Sequence, residues 1–434
     1  MQDKSPKWII DHGAMSVGQW LAVLVTVGLN AMDGFDVLSI SFASPGIAKD
    51  WGLDKATLGW ILSMELVGMG VGSVLLGGVA DKIGRRPTIL GCLLAMAIGM
   101  FGASYAAGVP TLLAWRLLTG FGIGGMLAAI NAAVAELSSQ RWRNLAVSLM
   151  VIGYPVGGVI GGMVVQKLLG GGTWHDVFIF GGCITAAFIP IVWLLLPESV
   201  DFLDRLRKPG ALTAINRILT RFGHESTAAL TGETVETAQQ SVTDIFRPGL
   251  ILATVLVTLG YFTHVISFYF IIKWVPKLVV DLGFAPKAAA GVLTWANVGG
   301  ATGVAIFGLI ATRVNLKALT VVTLLGASAM VVWFGRGSSD LSTLAATVAI
   351  AGVFTNSGIA GYYMLFARVF PTHVRATGTG FAVGVGRAGA ILAPVIAGYL
   401  FQAGFGLQAV ATMMALGPLL SAAALLALKV RPAE

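Results

Sequence analysis

A135-E-L-S-S-Q-R-W-R143 returns 232 residues later as A367-R-V-F-P-T-H-V-R375, with Ala135 over Ala367 and Arg143 over Arg375. The same offset lays Gly68 over Gly300, Asp81 over Arg313, Arg85 over Lys317 and Glu65 over Asn297. One offset that fits several separated places marks a duplicated chain, and a duplication sets the architecture into which every shorter motif must fit.

What is duplicated follows from composition. Of 434 residues, 56% are hydrophobic and only 11% charged, and the mean hydropathy is +0.85, whereas soluble domains carry about 25% charged residues. The chain reads as an all-α polytopic membrane protein. Twelve apolar windows are long enough to cross about 30 Å of hydrocarbon: 17–41, 57–79, 88–107, 111–135, 145–168, 176–196, 249–272, 288–311, 317–335, 341–366, 377–400 and 405–428. The polar stretch 200–248 separates an N-terminal six-helix bundle (1–199) from a C-terminal one (249–434). The run PESVDFLDRLRK, from Pro197 to Lys208, leads into it, and T231-G-E-T-V-E-T-A-Q-Q240 continues its polar character. A211-L-T-A-I-N-R-I-L-T-R-F222 sets Ile215, Ile218, Leu219 and Phe222 on one helix face, which suits a membrane surface or a cap on the bundles.

The first window follows a polar Met1–Ser16 and lacks a small-residue cleavage site, so it reads as a retained span. Most of the 28 Lys and Arg fall in the termini and in loops after even-numbered windows, while Arg116 and Arg387 fall inside windows. This bias predicts an inner-membrane protein with both termini in the cytoplasm. The net charge of +8 is then a topological signal facing anionic lipid, with no nucleic acid implied. Cys92 and Cys183 fall inside windows, which favours buried free thiols over a disulfide.

The first window also carries N30-A-M-D-G-F-D-V-L-S-I-S41, ahead of an expected turn at Pro45 and Gly46. An Asp at the centre of a membrane helix costs about 2.5–3.5 kcal/mol on insertion scales. Asp33 and Asp36 share one helix face, and Thr26, Asn30 and Ser41 continue the stripe at helical spacing. That stripe must face protein or a water-filled cavity.

G77-G-V-A-D-K-I-G-R-R-P-T88 resembles the signature loop of the major facilitator superfamily, R116-L-L-T-G-F-G-I-G-G125 is similar to its Arg/Gly motif, and L196-P-E-S199 is similar to the end of its sixth span. Within that superfamily, D33-G-F-D36 resembles the DGxD motif of the aromatic acid:proton symporters. The resemblance implies a twelve-helix fold that imports a benzoate-type carboxylate with protons. It implies transport roles for Asp33, Asp36, Arg116, Glu136 and Arg387. Glu65 lies outside the signature. G153-Y-P-V-G-G-V-I-G-G162 concentrates five glycines, which allow close helix approach, and resembles a segment associated with exporters.

The residues themselves suggest roles. Burial and mutual repulsion favour a proton on one carboxyl of the Asp33/Asp36 pair, while Arg116 opposes it; a static helix-to-helix tie is the alternative. Arg387 sits about 15 Å into its span at 1.5 Å per residue, and no acidic residue lies within the last six windows. Its planar fork suits a carboxylate, or else it pairs with Asp33, Glu65 or carbonyls. Glu65 and Asn297 hold equivalent places and can line a cavity, Glu65 as a second proton site or as a clamp on Arg387. His264 is a proton relay or a helix-to-helix hydrogen bonder, and Phe35, Tyr154, Trp295, Tyr362 and Tyr363 offer faces for an aromatic ring or are packing. Asp81, Arg85 and Arg86, with Arg313 and Arg375 at the repeated positions, read as gating charges; Asp81 is expected to meet the start of the eleventh span, and Glu136 is expected to tie to Arg141 or Arg143.

The expected activity is proton-coupled import of a small organic anion, an aromatic carboxylate, by a monomer without cofactor or metal. Proton-coupled export of organic anions or drugs, and ligand sensing without transport, are the alternatives. No enzyme motif is present: G120-F-G-I-G-G125 lies in a span, without the strand-turn-helix context of a phosphate loop.

Overall fold

The computed structural model describes residues 5–206, 209–230, 242–371 and 374–428; the 231–240 stretch of the linker lies outside them. A short α1 (Pro6–His12) precedes α2 (Val17–Asp50), α3 (Lys55–Ile83), α4 (Arg85–Ser104), α5 (Val109–Leu137), α6 (Arg143–Leu168) and α7 (Trp174–Leu195). The linker holds α8 (Val200–Leu206), α9 (Ala211–Arg221) and a 3-10 turn, Val242–Phe246. Then follow α10 (Ile251–Asp281), α11 (Pro286–Ala311), α12 (Leu316–Gly335), α13 (Leu341–Val369), α14 (Arg375–Gln402) and α15 (Leu407–Ala427). Twelve of these helices are long and apolar enough to span a membrane, and in a bilayer core a helix is one of the two folds that satisfy every backbone polar group.

The duplication is visible in the helix bounds. Moved by the 232-residue offset, Val109–Leu137 becomes Leu341–Val369, and the other five spans land within a few residues of α10, α11, α12, α14 and α15. The turn between α3 and α4 is made by Gly84 at φ 112°, a left-handed conformation that a side chain disfavours.

Two windows end too early in the sequence reading. The expected turn at Pro45 and Gly46 is absent, and α2 runs on to Asp50. Pro45 cannot donate to the Ser41 carbonyl four residues back, but Ser44 Oγ donates to that carbonyl at 2.8 Å, so the helix loses no hydrogen bond. The charge of Lys273 ends the seventh window at 272, yet α10 continues to Asp281 with Lys273 fully buried.

The chain divides into two compact units. The first comprises Met1–Asp36, Val67–Gly157 and Phe178–Thr237, and the second Val37–Leu66, Gly158–Val177 and Ala238–Glu434. In the first, glycines let helices touch: Gly153 and Gly157 of α6 lie on the backbone of α2 at Val27 and Ala31, and Gly68, Gly72 and Gly124 bring α3 and α5 together. The apolar face of α9 is buried through Ile215 and Leu219, and beyond its end the His224 ring is 3.2 Å from Gln19 Oε1. Of the two settings open to α9, the structure shows packing on protein.

The second unit joins the C-terminal ends of α2 and α6 and the N-terminal end of α3 to α10–α15. Gly59 of α3 lies on the Pro394 backbone, and Gly162 of α6 lies on Thr294 of α11. Ser63 Oγ donates to the Ile391 carbonyl at 2.7 Å. Both cysteines are free; Cys92 is buried, but Cys183 is exposed on α7, contrary to expectation. Its side of α7 is one that lipid, rather than protein, would cover.

Candidate functional site

Asp33, Asp36, Glu65, Arg116 and Lys273 are the Asp, Glu, Lys and Arg side chains with 0% exposure among the described residues. Such charges persist in an apolar interior only with compensating partners.

Three of them sit in the first unit. Arg116 of α5 donates through Nη2 to the Asp36 carbonyl at 3.1 Å and through Nη1 to Met100 Sδ at 3.1 Å. Its guanidinium lies 5.4 Å from the Phe178 ring. Thr185 Oγ1 is 3.5 Å from Asp36 Oδ2, so Arg116 and Asp36 meet at one depth. Gly34, inside the D33-G-F-D36 motif, rests on the Tyr154 carbonyl of α6, where a side chain would push α2 away. Phe35 is buried edge-to-face on Phe180 at 5.3 Å between centroids.

The second unit holds the pair that sequence reasoning missed. Lys273 Nζ donates to the Val37 carbonyl at 2.5 Å and lies 3.6 Å from Glu65 Oε2. Lys273 is eight residues from the end of α10, about 12 Å at 1.5 Å per residue. Its apolar neighbours Ile271, Ile272, Trp274 and Val275 were the available signal, since a lysine flanked by such a run continues a helix when a carboxylate waits for it. Lys55 and Asp281 pair nearer that end of the same two helices, with Lys277 on the same carboxylate.

Arg387 of α14 is half-buried. Tyr261 is in edge contact with Tyr362, Tyr363 and Phe366 at 5.5, 6.1 and 5.4 Å. Tyr362 is fully buried with its hydroxyl 2.5 Å from Ser421 Oγ, while Tyr363 is 48% exposed. His264 Nε2 donates to the Thr355 carbonyl at 2.8 Å, tying α10 to α13. Asn297 Nδ2 donates to the Leu293 carbonyl at 2.9 Å, and its amide lies against Gly158 of α6. Trp295, the next ring along α11, is 55% exposed.

The charged motif between α3 and α4 is a network centred on buried Arg85, with Asp81 at its exposed edge. Arg85 bonds Glu136 at 2.9 and 3.2 Å and Asp81 at 2.7 Å. The expected tie from Glu136 to Arg141 or Arg143 is therefore replaced. Arg143 instead pairs with Asp11 and donates to the Ala135 carbonyl at 2.8 Å, and Arg141 lies over Trp142. The fork of Arg85, fixed at the start of α4, simply reaches Glu136 first. Glu198 accepts from the backbone N–H groups of Arg85 and Arg86 at 2.9 and 3.3 Å, capping α4. Burial raises its carboxyl above the usual carboxylate range, and the three N–H bonds it accepts oppose that rise. Arg86 lies over Trp193 at 4.9 Å. Arg313 is exposed in the turn after α11, and Arg375 opens α14 with Nε 3.3 Å from the Phe370 carbonyl.

A family model described as Major Facilitator Superfamily matches residues 25–335 and 257–434. The chain is 30% identical to a gallate transporter of Pseudomonas putida over 96% of its own length and 93% of that protein's. It is also 30% identical to a 3-(3-hydroxy-phenyl)propionate transporter of Escherichia coli, over 94% of each. Among solved structures, a D-xylose-proton symporter superposes with a TM-score of 0.71 at 17% identity, covering 95% of this chain and 98% of that one. At that identity the likeness concerns the fold.

Proposed function

We propose that this chain, which belongs to the major facilitator superfamily and is a secondary transporter rather than an enzyme, imports a small aromatic carboxylate together with protons by alternating access. The observation that carries the reading is the excess of charge on each side: the carboxyls Asp33, Asp36 and Glu65 outnumber Arg116 among the fully buried charges of the first six spans, while buried Lys273 and half-buried Arg387 are cations on the later ones. Carboxyls in a dry interior can take and release protons, and a cation near the membrane midplane attracts an anion. Gallate and 3-(3-hydroxyphenyl)propionate, the compounds named for two relatives, are both aromatic rings bearing one carboxylate.

In this reading Asp33 and Asp36 carry protons under the influence of Arg116, Phe35 and Tyr154 hold the motif in place, and Glu65 is a further proton site. Arg387 receives the carboxylate. Asn297, Trp295, Tyr261 and Tyr363 face the ring, with His264 and Tyr362 as their support. Asp81, Arg85, Arg86, Glu136, Arg143, Arg313 and Arg375 serve the gates. Two six-helix halves, 1–199 and 249–434, move about the 200–248 linker, and the monomer works with both termini in the cytoplasm. A thermal-shift panel on the purified protein tests the substrate class: monocyclic aromatic carboxylates should stabilise it in a saturable way. Stabilisation by aliphatic acids or hydrophobic cations, but not by aromatic acids, would refute the reading.

A further inference from the structure

Glu65 comes from the first six spans and Lys273 from the last six, yet they pack within one unit. Any motion that parts α3 from α10 must break their link. The surrounding contacts tolerate that motion: Lys55 and Asp281 are each about one-third exposed and can rehydrate, and the Trp60–Tyr399 bond is exposed as well. Glu65 and Lys273, both at 0% exposure, cannot. Separating such a pair without putting another partner in place is strongly destabilising.

We propose that Lys273 is a second carboxylate receptor, that Glu65 occupies it in the empty transporter, and that a proton delivered to Glu65 releases Lys273 to the carboxylate of the substrate. This deepens the import reading and rests on it. The charge balance carries the argument. In the empty state a carboxylate and an ammonium cancel. When a proton from water binds a Glu65 oxygen, the ion pair breaks, and the substrate carboxylate forms a new pair with Lys273; the sum is again zero. On the other side Glu65 returns its proton to water, takes Lys273 back and displaces the substrate. Glu65 thus contributes one proton per carboxylate, apart from any proton carried at the Asp33/Asp36 pair, and Lys273 faces a carboxylate at each resting point. The Val37 carbonyl, 2.5 Å from Nζ, holds the ammonium in place through the exchange.

Other charged or titratable groups stand on the elements packed here. They are Asp33, Asp36, Lys49 and Asp50 on α2, Lys55, Asp81 and Lys82 on α3, Tyr261, His264, Tyr269, Lys277 and Asp281 on α10, and Arg375, Arg387 and Tyr399 on α14. All are retained in the test variants, so a pH dependence that vanishes with Glu65 belongs to Glu65.

The experiment is calorimetric titration of the purified full chain with benzoate, 4-hydroxybenzoate and gallate, in buffers of different ionisation enthalpy, between about pH 5 and pH 8. Wild-type affinity should rise as pH falls, by up to about tenfold per unit for each proton taken up. Glu65→Gln should bind more tightly at neutral pH and take up one proton fewer. The charge-balanced double variant Glu65→Gln/Lys273→Met should melt as a folded protein and lose at least about tenfold in affinity, on the scale of one charged hydrogen bond. Proton uptake and affinity unchanged in Glu65→Gln, or wild-type binding by the folded double variant, would overturn the proposal. A ligand-free measurement separates it from the import reading. With Cys92→Ser and Cys183→Ser in place, Ser63→Cys and Ile391→Cys joined by a short bifunctional reagent should crosslink less once Glu65→Gln is added. If no aromatic acid binds the wild type, the import reading falls, and an unchanged crosslink yield would overturn the release of Lys273 as well.

Discussion

The first six spans and the last six share their helix bounds and differ in their buried chemistry. At the 232-residue offset, Asp33 and Asp36 face Val265 and Phe268, Arg116 faces Val348, Lys273 faces Ser41 and Arg387 faces Pro155. None of these five charges is matched by a charge in the other repeat, whereas the charges at the loop ends, Arg85 over Lys317 and Arg143 over Arg375, are. Helix length, loop position and close glycine contacts are what both halves need to span a bilayer. The charges are what the proposed substrate and protons would need, and each half supplies one sign in excess. The difference between repeats therefore points to the site more directly than their likeness does.

Stripping the cation from the later half should have the largest effect. Lys273→Met takes from Glu65 the ammonium it faces in a dry interior and should cost about 3–5 kcal/mol of stability, read as a lowered melting temperature in detergent. Adding Glu65→Gln should return most of it, because the buried carboxylate loses its charge; no recovery would mean that Lys273 stabilises through contacts other than Glu65.

In the earlier half, Asp33→Asn or Asp36→Asn should abolish uphill accumulation in proteoliposomes while the protein stays folded. At least one of the two should still exchange labelled for unlabelled substrate. Normal accumulation by both variants would make the pair structural.

Arg387→Lys keeps the charge and loses the planar fork, so substrate affinity should fall by about 1–3 kcal/mol. Calorimetry showing unchanged binding would remove Arg387 from the site.

The smallest effect concerns equivalent helix starts. The turn into α12 is capped locally, with Asn315 Oδ1 accepting from the Ala318 N–H at 3.1 Å, whereas α4 is capped by Glu198 from outside the helix pair. Asn315→Ala should cost about 1 kcal/mol of stability and leave transport unchanged.

The twelve spans were legible because about twenty apolar residues in a row have few other uses. Their ends were not, because a proline or a lysine ends an apolar window even where a serine hydroxyl or a buried carboxylate repairs the helix. Ser44 on the Ser41 carbonyl and Glu65 beside Lys273 are those two repairs. Asp33, Asp36, Arg116, Glu65 and Arg387 could be found by their cost alone, since a charge inside an apolar run needs a reason. Partners were harder to read: Glu136 has Arg141 and Arg143 near it in sequence but binds Arg85, 51 residues away, because helix packing sets which fork arrives.

The central claim is that protons drive an organic anion inward. Proteoliposome uptake of a labelled aromatic acid under an imposed pH gradient, with and without a potassium-diffusion potential, tests it most directly. One proton per monoanion carries no net charge and yields about 1.36 kcal/mol, or tenfold accumulation, per pH unit. With a second proton, an inside-negative potential adds about 2.3 kcal/mol per 100 mV. Because Glu65 and the Asp33/Asp36 pair each offer a proton site, the account predicts uptake stimulated by outside acid and raised further by an inside-negative potential. An outside-acidic gradient that instead drives preloaded substrate outward would contradict it and establish exchange of substrate for protons.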